Sequence, residues 1–160
     1  MDEFELFVLA RALHVLGVVL WIGGVAFVTL VLIPALIKLA DKEQRLNLFE
    51  QLEGRFAFQA RIVTVITGLA GFYMVEFMDI WHRYQQPEYW WMHLMTLVWT
   101  IFTLVLFVLE PLVLHRYFHN LATKNSERAF KILHRMHKIL LSLSVIAVVG
   151  AVAGSHGFQF

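Results

Sequence analysis

The sequence predicts an all-α integral membrane protein, a four-helix up-down bundle, and three observations carry that prediction. Of its 160 residues, 59% are hydrophobic and only 16% charged, against roughly a quarter charged in soluble domains. Mean hydropathy is +0.68. Three stretches run without charge far enough to cross a bilayer, which takes about 18 or more apolar residues: Ala12 to Ile37, Ile139 to Phe160, and Tyr89 to His115 with Glu110 as its exception. The absence of cysteine excludes disulfide scaffolds, thiolate metal sites and covalently attached haem. A balance of 13 basic against 12 acidic residues leaves no nucleic-acid footprint.

The first span is expected at about 12–37. Its acidic flank (Asp2, Glu3, Glu5) and its length argue for a permanent helix and against a cleaved leader. A short interfacial helix follows at about 41–53, with Leu46, Phe49, Leu52 and Phe56 near helical spacing. The second span is expected at about 56–78, although Arg61 and Glu76 sit inside it. Gln85, Gln86 and Pro87 break the chain before the third span at 89–115. Residues Thr123 to Ser126 make the turn that leads to the fourth, about 137–157. One transmembrane domain therefore fills residues 1–160.

Basic residues set the expected orientation. Segments 38–61 and 116–138 hold 11 of the 13 Lys and Arg, and an even number of spans puts both on one side. By the positive-inside rule that side is cytoplasmic, and both termini face the outer, periplasmic side of a bacterial inner membrane. Trp81, Tyr89, Trp90 and Trp91 then form an aromatic belt at the outer face.

The chemistry lies in eight histidines. An ionisable side chain within a span is costly and by default a functional candidate; the plainer reading is a neutral ring hydrogen-bonded to a neighbouring helix. His14 opens a helix face that continues through Gly17, Trp21 and Gly24. His93 opens another with Thr96, Thr100, Thr103, Phe107 and Glu110. Such a polar stripe is expected to face the bundle interior. Both histidines sit shallow on parallel spans, so their rings arrive at one level, as the axial ligands of a b-type haem must. Gly17 would admit a flat macrocycle, or serve close helix packing. Arg11 would pair with a propionate, or anchor the interface. Met95 and His156 are reserve ligands.

At the cytoplasmic side His115 and His119 are four apart, and His134 and His137 three apart, so each pair shares a helix face. They mark a second haem or metal site, with His115 and His137 nearest the membrane. The alternative is a basic surface that meets anionic lipid.

The run HVLGVVLWIGG over residues 14–24, Arg61 with Thr67 and Gly68, and Trp91-Met92-His93 resemble the HemJ/CopD-like membrane proteins over most of residues 10–116. The resemblance implies a haem-bearing or metal-handling bundle. HemJ-like members use haem b to oxidise protoporphyrinogen, whereas CopD-like members are associated with copper uptake. Met95 stands where the HemJ pattern has a lysine. The expected function is thus a haem-binding electron-transfer or oxidoreductase protein. A copper-handling protein is the second reading and a non-catalytic subunit of a larger membrane complex the third. The expected partners are lipid and a redox partner, with a homo-oligomer or a membrane complex as the assembly.

Overall fold

A computed structural model of the chain describes residues 2–38 and 41–158, without the side chains of residue 42 and residues 113–116. Among the described residues there are no strands, and four helices are long and apolar enough to cross a membrane: α1 (Glu3–Ile37), α2 (Lys42–Phe77), α3 (Pro87–Leu112) and α4 (His115–Ser155). The protein is a multi-pass membrane bundle.

Helix α1 begins nine residues before the expected span. Asp2 accepts from the Glu5 amide and the Glu5 carboxylate accepts from the Asp2 amide, a capping box that satisfies the first free donors. Asp41 caps α2 by accepting from the amides of Glu43 and Gln44. The separate surface helix expected at 41–53 does not exist as such. Nothing between Asp41 and Met78 breaks the backbone, so that segment is the first third of α2. At 36 residues α2 is about 54 Å long, well beyond the roughly 30 Å hydrocarbon core. In α4 the expected turn is reduced to a single residue. Asn125 leaves helical geometry (φ −148°, ψ 81°) and its side chain accepts the Arg128 amide, restarting the helix.

The helices run antiparallel in a ring. His14 on α1 meets Thr67 and Gly71 on α2, and Gly24 meets Phe56. Gly68 on α2 meets Trp99 on α3, while Gly150 and Gly154 on α4 meet Trp90 and Trp91. The start of α1 and the end of α4 therefore lie at one end of the bundle, and segments 41–61 and 117–138 at the other. Trp21, Val25, Val63, Val98, Phe102 and Leu141, from all four helices, form the central core. Trp21 stands edge-on to Phe102 at 4.9 Å. A second cluster of Val28, Ile33, Leu36, Phe49 and Phe130 fills the loop end. Outward, Leu13, Leu16, Leu20, Phe27, Leu30 and many others stay exposed, as lipid-facing side chains do.

Two prolines shape the loop-end halves of α1 and α3. Each lies against a widened stretch with i→i+5 hydrogen bonding, Val28–Leu32 before Pro34 and Val105–Leu114 around Pro111. In α1 the Ile33 amide goes to the Val28 carbonyl. The next carbonyl, Thr29, would take its hydrogen bond from residue 34, and proline has no N–H. His134 on α4 supplies the missing donor, Nε2–H to the Thr29 carbonyl at 3.0 Å. In α3 the carbonyl five residues before Pro111 is that of Leu106, and Arg61 on α2 donates to it through Nε at 3.0 Å. Each proline thus leaves a carbonyl that a neighbouring helix satisfies.

This arrangement makes a prediction. His134→Ala should lower stability by about 1–2 kcal/mol by leaving the Thr29 carbonyl unpaired. In a Pro34→Ala background, where an amide can take over, the same substitution should cost markedly less. Thermal unfolding of the four proteins in detergent checks it, and equal losses in both backgrounds would refute the account.

Candidate functional site

His14 is half-buried on the α1 face that meets α2. Its Nδ1 lies 2.9 Å from the Thr67 carbonyl. A carbonyl can only accept, so Nδ1 carries the proton and the neutral ring presents the Nε2 lone pair. Gly71 makes room for the ring: a β-carbon there would stand 3.0 Å from Cε1. The backbone of α2 therefore fixes both the tautomer and the orientation of His14. Metal-bound histidines are commonly held by such a bond on the second nitrogen.

His93 is placed differently. It is exposed, its Nε2–H donates to the Tyr84 carbonyl at 2.9 Å, and its ring lies edge-on to Tyr84 at 5.4 Å. Tyr84 belongs to the short 3-10 turn Trp81–Gln85 between α2 and α3, and its hydroxyl reaches Thr96 at 2.9 Å. Among the described residues no hydrogen bond or ring contact joins His14 to His93.

The stripe that starts at His93 faces the interior only in part: Thr103 and Glu110 are half-buried, and Glu110 pairs with Arg61 on α2. Thr96 and Thr100 are exposed, and α3 turns Met92, Val98 and Phe102 inward. The reason is local. Thr96, Thr100 and Thr103 donate to the carbonyls of Met92, Thr96 and Trp99 one turn back on their own helix. A hydroxyl satisfied within its own helix needs no partner across the bundle and can face lipid.

The supporting residues fall as follows. Arg11 is exposed near the start of α1. Gly17 is buried, and the space above it is taken by the Thr67 side chain, so it serves the close approach of α1 to α2. Met95 is half-buried. His156 bonds the Val152 carbonyl of its own helix at 2.8 Å, and His82 is exposed.

At the loop end the three described histidines of the expected quartet have separate partners. His119 Nδ1 lies 2.8 Å from Glu50 on α2. His134 serves the Thr29 carbonyl, and His137 donates through Nδ1 to Leu133 at 3.0 Å. The side chain of His115 lies outside the described residues. No group of three metal-ligating side chains forms among the described residues.

One feature escaped the reading of the sequence. Arg61, one of two charges within the second span, and Glu110, the one charge of the third, form an ion pair between α2 and α3 in addition to the Arg61 bond to Leu106. Opposite charges at one depth on antiparallel helices were the available signal. Removing Arg61 strands both a carboxylate and a carbonyl. Arg61→Met should therefore cost about 2–4 kcal/mol, more than Glu110→Gln, and the double variant should recover only part of the loss. Full recovery in detergent unfolding would show that the Leu106 carbonyl needs no cap.

No curated protein and no solved structure matches the chain. A family model described as "Domain of unknown function (DUF4149)" matches residues 16–119, which takes in Pro34, Arg61, His93 and Pro111 and begins just after His14. That match covers well over half of the sequence, and the chain belongs to the DUF4149 family.

Proposed function

We propose that this protein is a membrane-embedded b-type haem protein with an electron-transfer or oxidoreductase role, related in kind to the HemJ/CopD-like proteins it resembles. The observation that carries the reading is the Nδ1–H bond from His14 to the Thr67 carbonyl. It leaves Nε2 as a preset ligand and strengthens its basicity. His93 is the second ligand. It must either bind through Nδ1 or exchange the Tyr84 carbonyl for the iron. Arg11, one turn before His14, is the cation for a propionate. Haem held here would supply one-electron chemistry. The chain's own part is to hold the His14 ring and, through the Trp21–Phe102 layer beneath it, to keep water out of the bundle. The loop-end histidines His115 and His137 are the ligands to examine for a second haem or metal.

The proposed setting is a bacterial inner membrane, with both termini on the periplasmic side, because 11 of the 13 basic residues lie at the loop end. Reporter fusions at the carboxyl terminus and within 116–138 test this. A cytoplasmic signal from the carboxyl-terminal fusion would overturn it.

For the haem, protein produced with an ample haem supply should purify red with a Soret band. His14→Ala and His93→Ala should each abolish or shift that band, and His82→Ala should leave it unchanged. A Soret band indifferent to His14→Ala would refute the ligand assignment. Colourless protein carrying stoichiometric copper would favour the copper-handling reading. Protein with neither would leave a non-catalytic subunit of a membrane complex.

A further inference from the structure

The second segment of α4 carries a pattern that neither the haem reading nor the core uses. After Asn125 restarts the helix, Arg128, Lys131, Arg135 and Lys138 follow at three-and-four spacing, so they share one face, and all four are exposed. Lys131 is paired with Glu127 on its own helix at 2.7 Å. Arg128, Arg135 and Lys138 enter no ion pair among the described residues. About a quarter turn around the helix runs a second stripe, Ile132, Met136 and Ile139, with 39%, 43% and 53% of their surface exposed. The core side of the segment is separate and consists of Ala129, Phe130 and Leu133.

Depth identifies what this double stripe meets. Lys138 is the last charge before the charge-free, largely apolar run 139–155, so it stands at the edge of the hydrocarbon. Arg135 lies one turn higher, a rise of about 4.5 Å, and the headgroup layer on each side of a bilayer is about 5–7 Å deep. Both cations fit within that layer. Met136 and Ile139 beside them offer apolar surface where an acyl chain begins. A water-soluble anion would use the charges and leave the adjoining apolar stripe bare. A lipid uses both.

We propose that Arg135 and Lys138 form a binding site for the phosphate of an anionic phospholipid, whose acyl chain lies along Met136 and Ile139. Each cation near a charged membrane surface favours anionic lipid by about fivefold. Together they give a preference of about 30-fold over a zwitterionic lipid. This inference is independent of the haem and of which side of the membrane the loop end faces.

The test is native mass spectrometry of the purified full chain in detergent, titrated with phosphatidylglycerol and with phosphatidylcholine. The wild-type protein should bind phosphatidylglycerol with the stated preference, and 0.5 M salt in the preincubation should erode it. The pair Arg135→Gln with Lys138→Gln should abolish the preference. The pair Arg55→Gln with Lys124→Gln, which removes equal charge from the same end of the bundle, should retain it. Equal binding of the two lipids by the wild type, indifference to salt, or survival of the preference in the first pair would each overturn the proposal. So would inorganic phosphate displacing the lipid at millimolar concentration, because the site would then read a phosphate and not a phospholipid. The salt arm needs only the wild type, so a variant that fails to fold does not rescue the idea.

Discussion

Inside a bilayer every backbone carbonyl must find a donor within the protein, since hydrocarbon offers none. Pro34 and Pro111 each withdraw one amide from a spanning helix, and the bundle is organised around the two carbonyls that result. Widening the preceding turns lets the proline rings fit but moves the unmet acceptor to Thr29 in one helix and Leu106 in the other. Both are met from outside, by His134 and by Arg61. His134, which the sequence offers as a candidate ligand, is thus held by backbone repair.

These bonds also decide which helices stay together. His134 ties α4 to α1, and Arg61 ties α2 to α3. The closest glycine contacts tie the other two pairs: Gly17, Gly24 and Gly71 bring α1 against α2, and Gly150 and Gly154 admit the tryptophans of α3 against α4. Between α2 and α3 both kinds meet, because Gly68 also seats Trp99, whose Nε1–H reaches the Thr64 carbonyl at 2.9 Å, and between α1 and α2 the His14 bond to the Thr67 carbonyl joins the glycine contacts. In lipid, where apolar burial gives little drive for association, small-residue packing and interhelical hydrogen bonds are the available forces.

The four spans were legible because their signal is collective: long charge-free runs survive any local ambiguity. Element ends were less so. The start of α1 at Glu3 depends on a capping box that the charged flank disguised as an extramembrane tail. The fusion of 41–53 with α2 depends on the absence of any breaker, which a composition change at residue 56 concealed. Inward-facing threonines were expected on α3 because hydroxyls were counted as polar. Bonded to their own helix, they behave as nearly apolar side chains. The Arg61–Glu110 pair stayed hidden because Arg61 was weighed only as a cost to its own span, not as a donor for a proline one helix away.

The three histidines that bond backbone carbonyls on other segments are not equivalent, and the difference bears on function. His134 meets a carbonyl that would otherwise be unpaired, so backbone need alone explains it. His93 closes the turn at Tyr84 between α2 and α3, where the carbonyl lies outside any long helix. Thr67, by contrast, lies in the regular interior of α2, where its carbonyl already accepts the amide four residues on. The His14 bond uses the second lone pair of a satisfied acceptor. It repairs nothing. What it does is fix one tautomer and one ring plane in a half-buried position, at the expense of placing an imidazole in an apolar helix. The proposed ligand role of His14 rests on this: the backbone does not require the side chain, yet sets its orientation and leaves one nitrogen free.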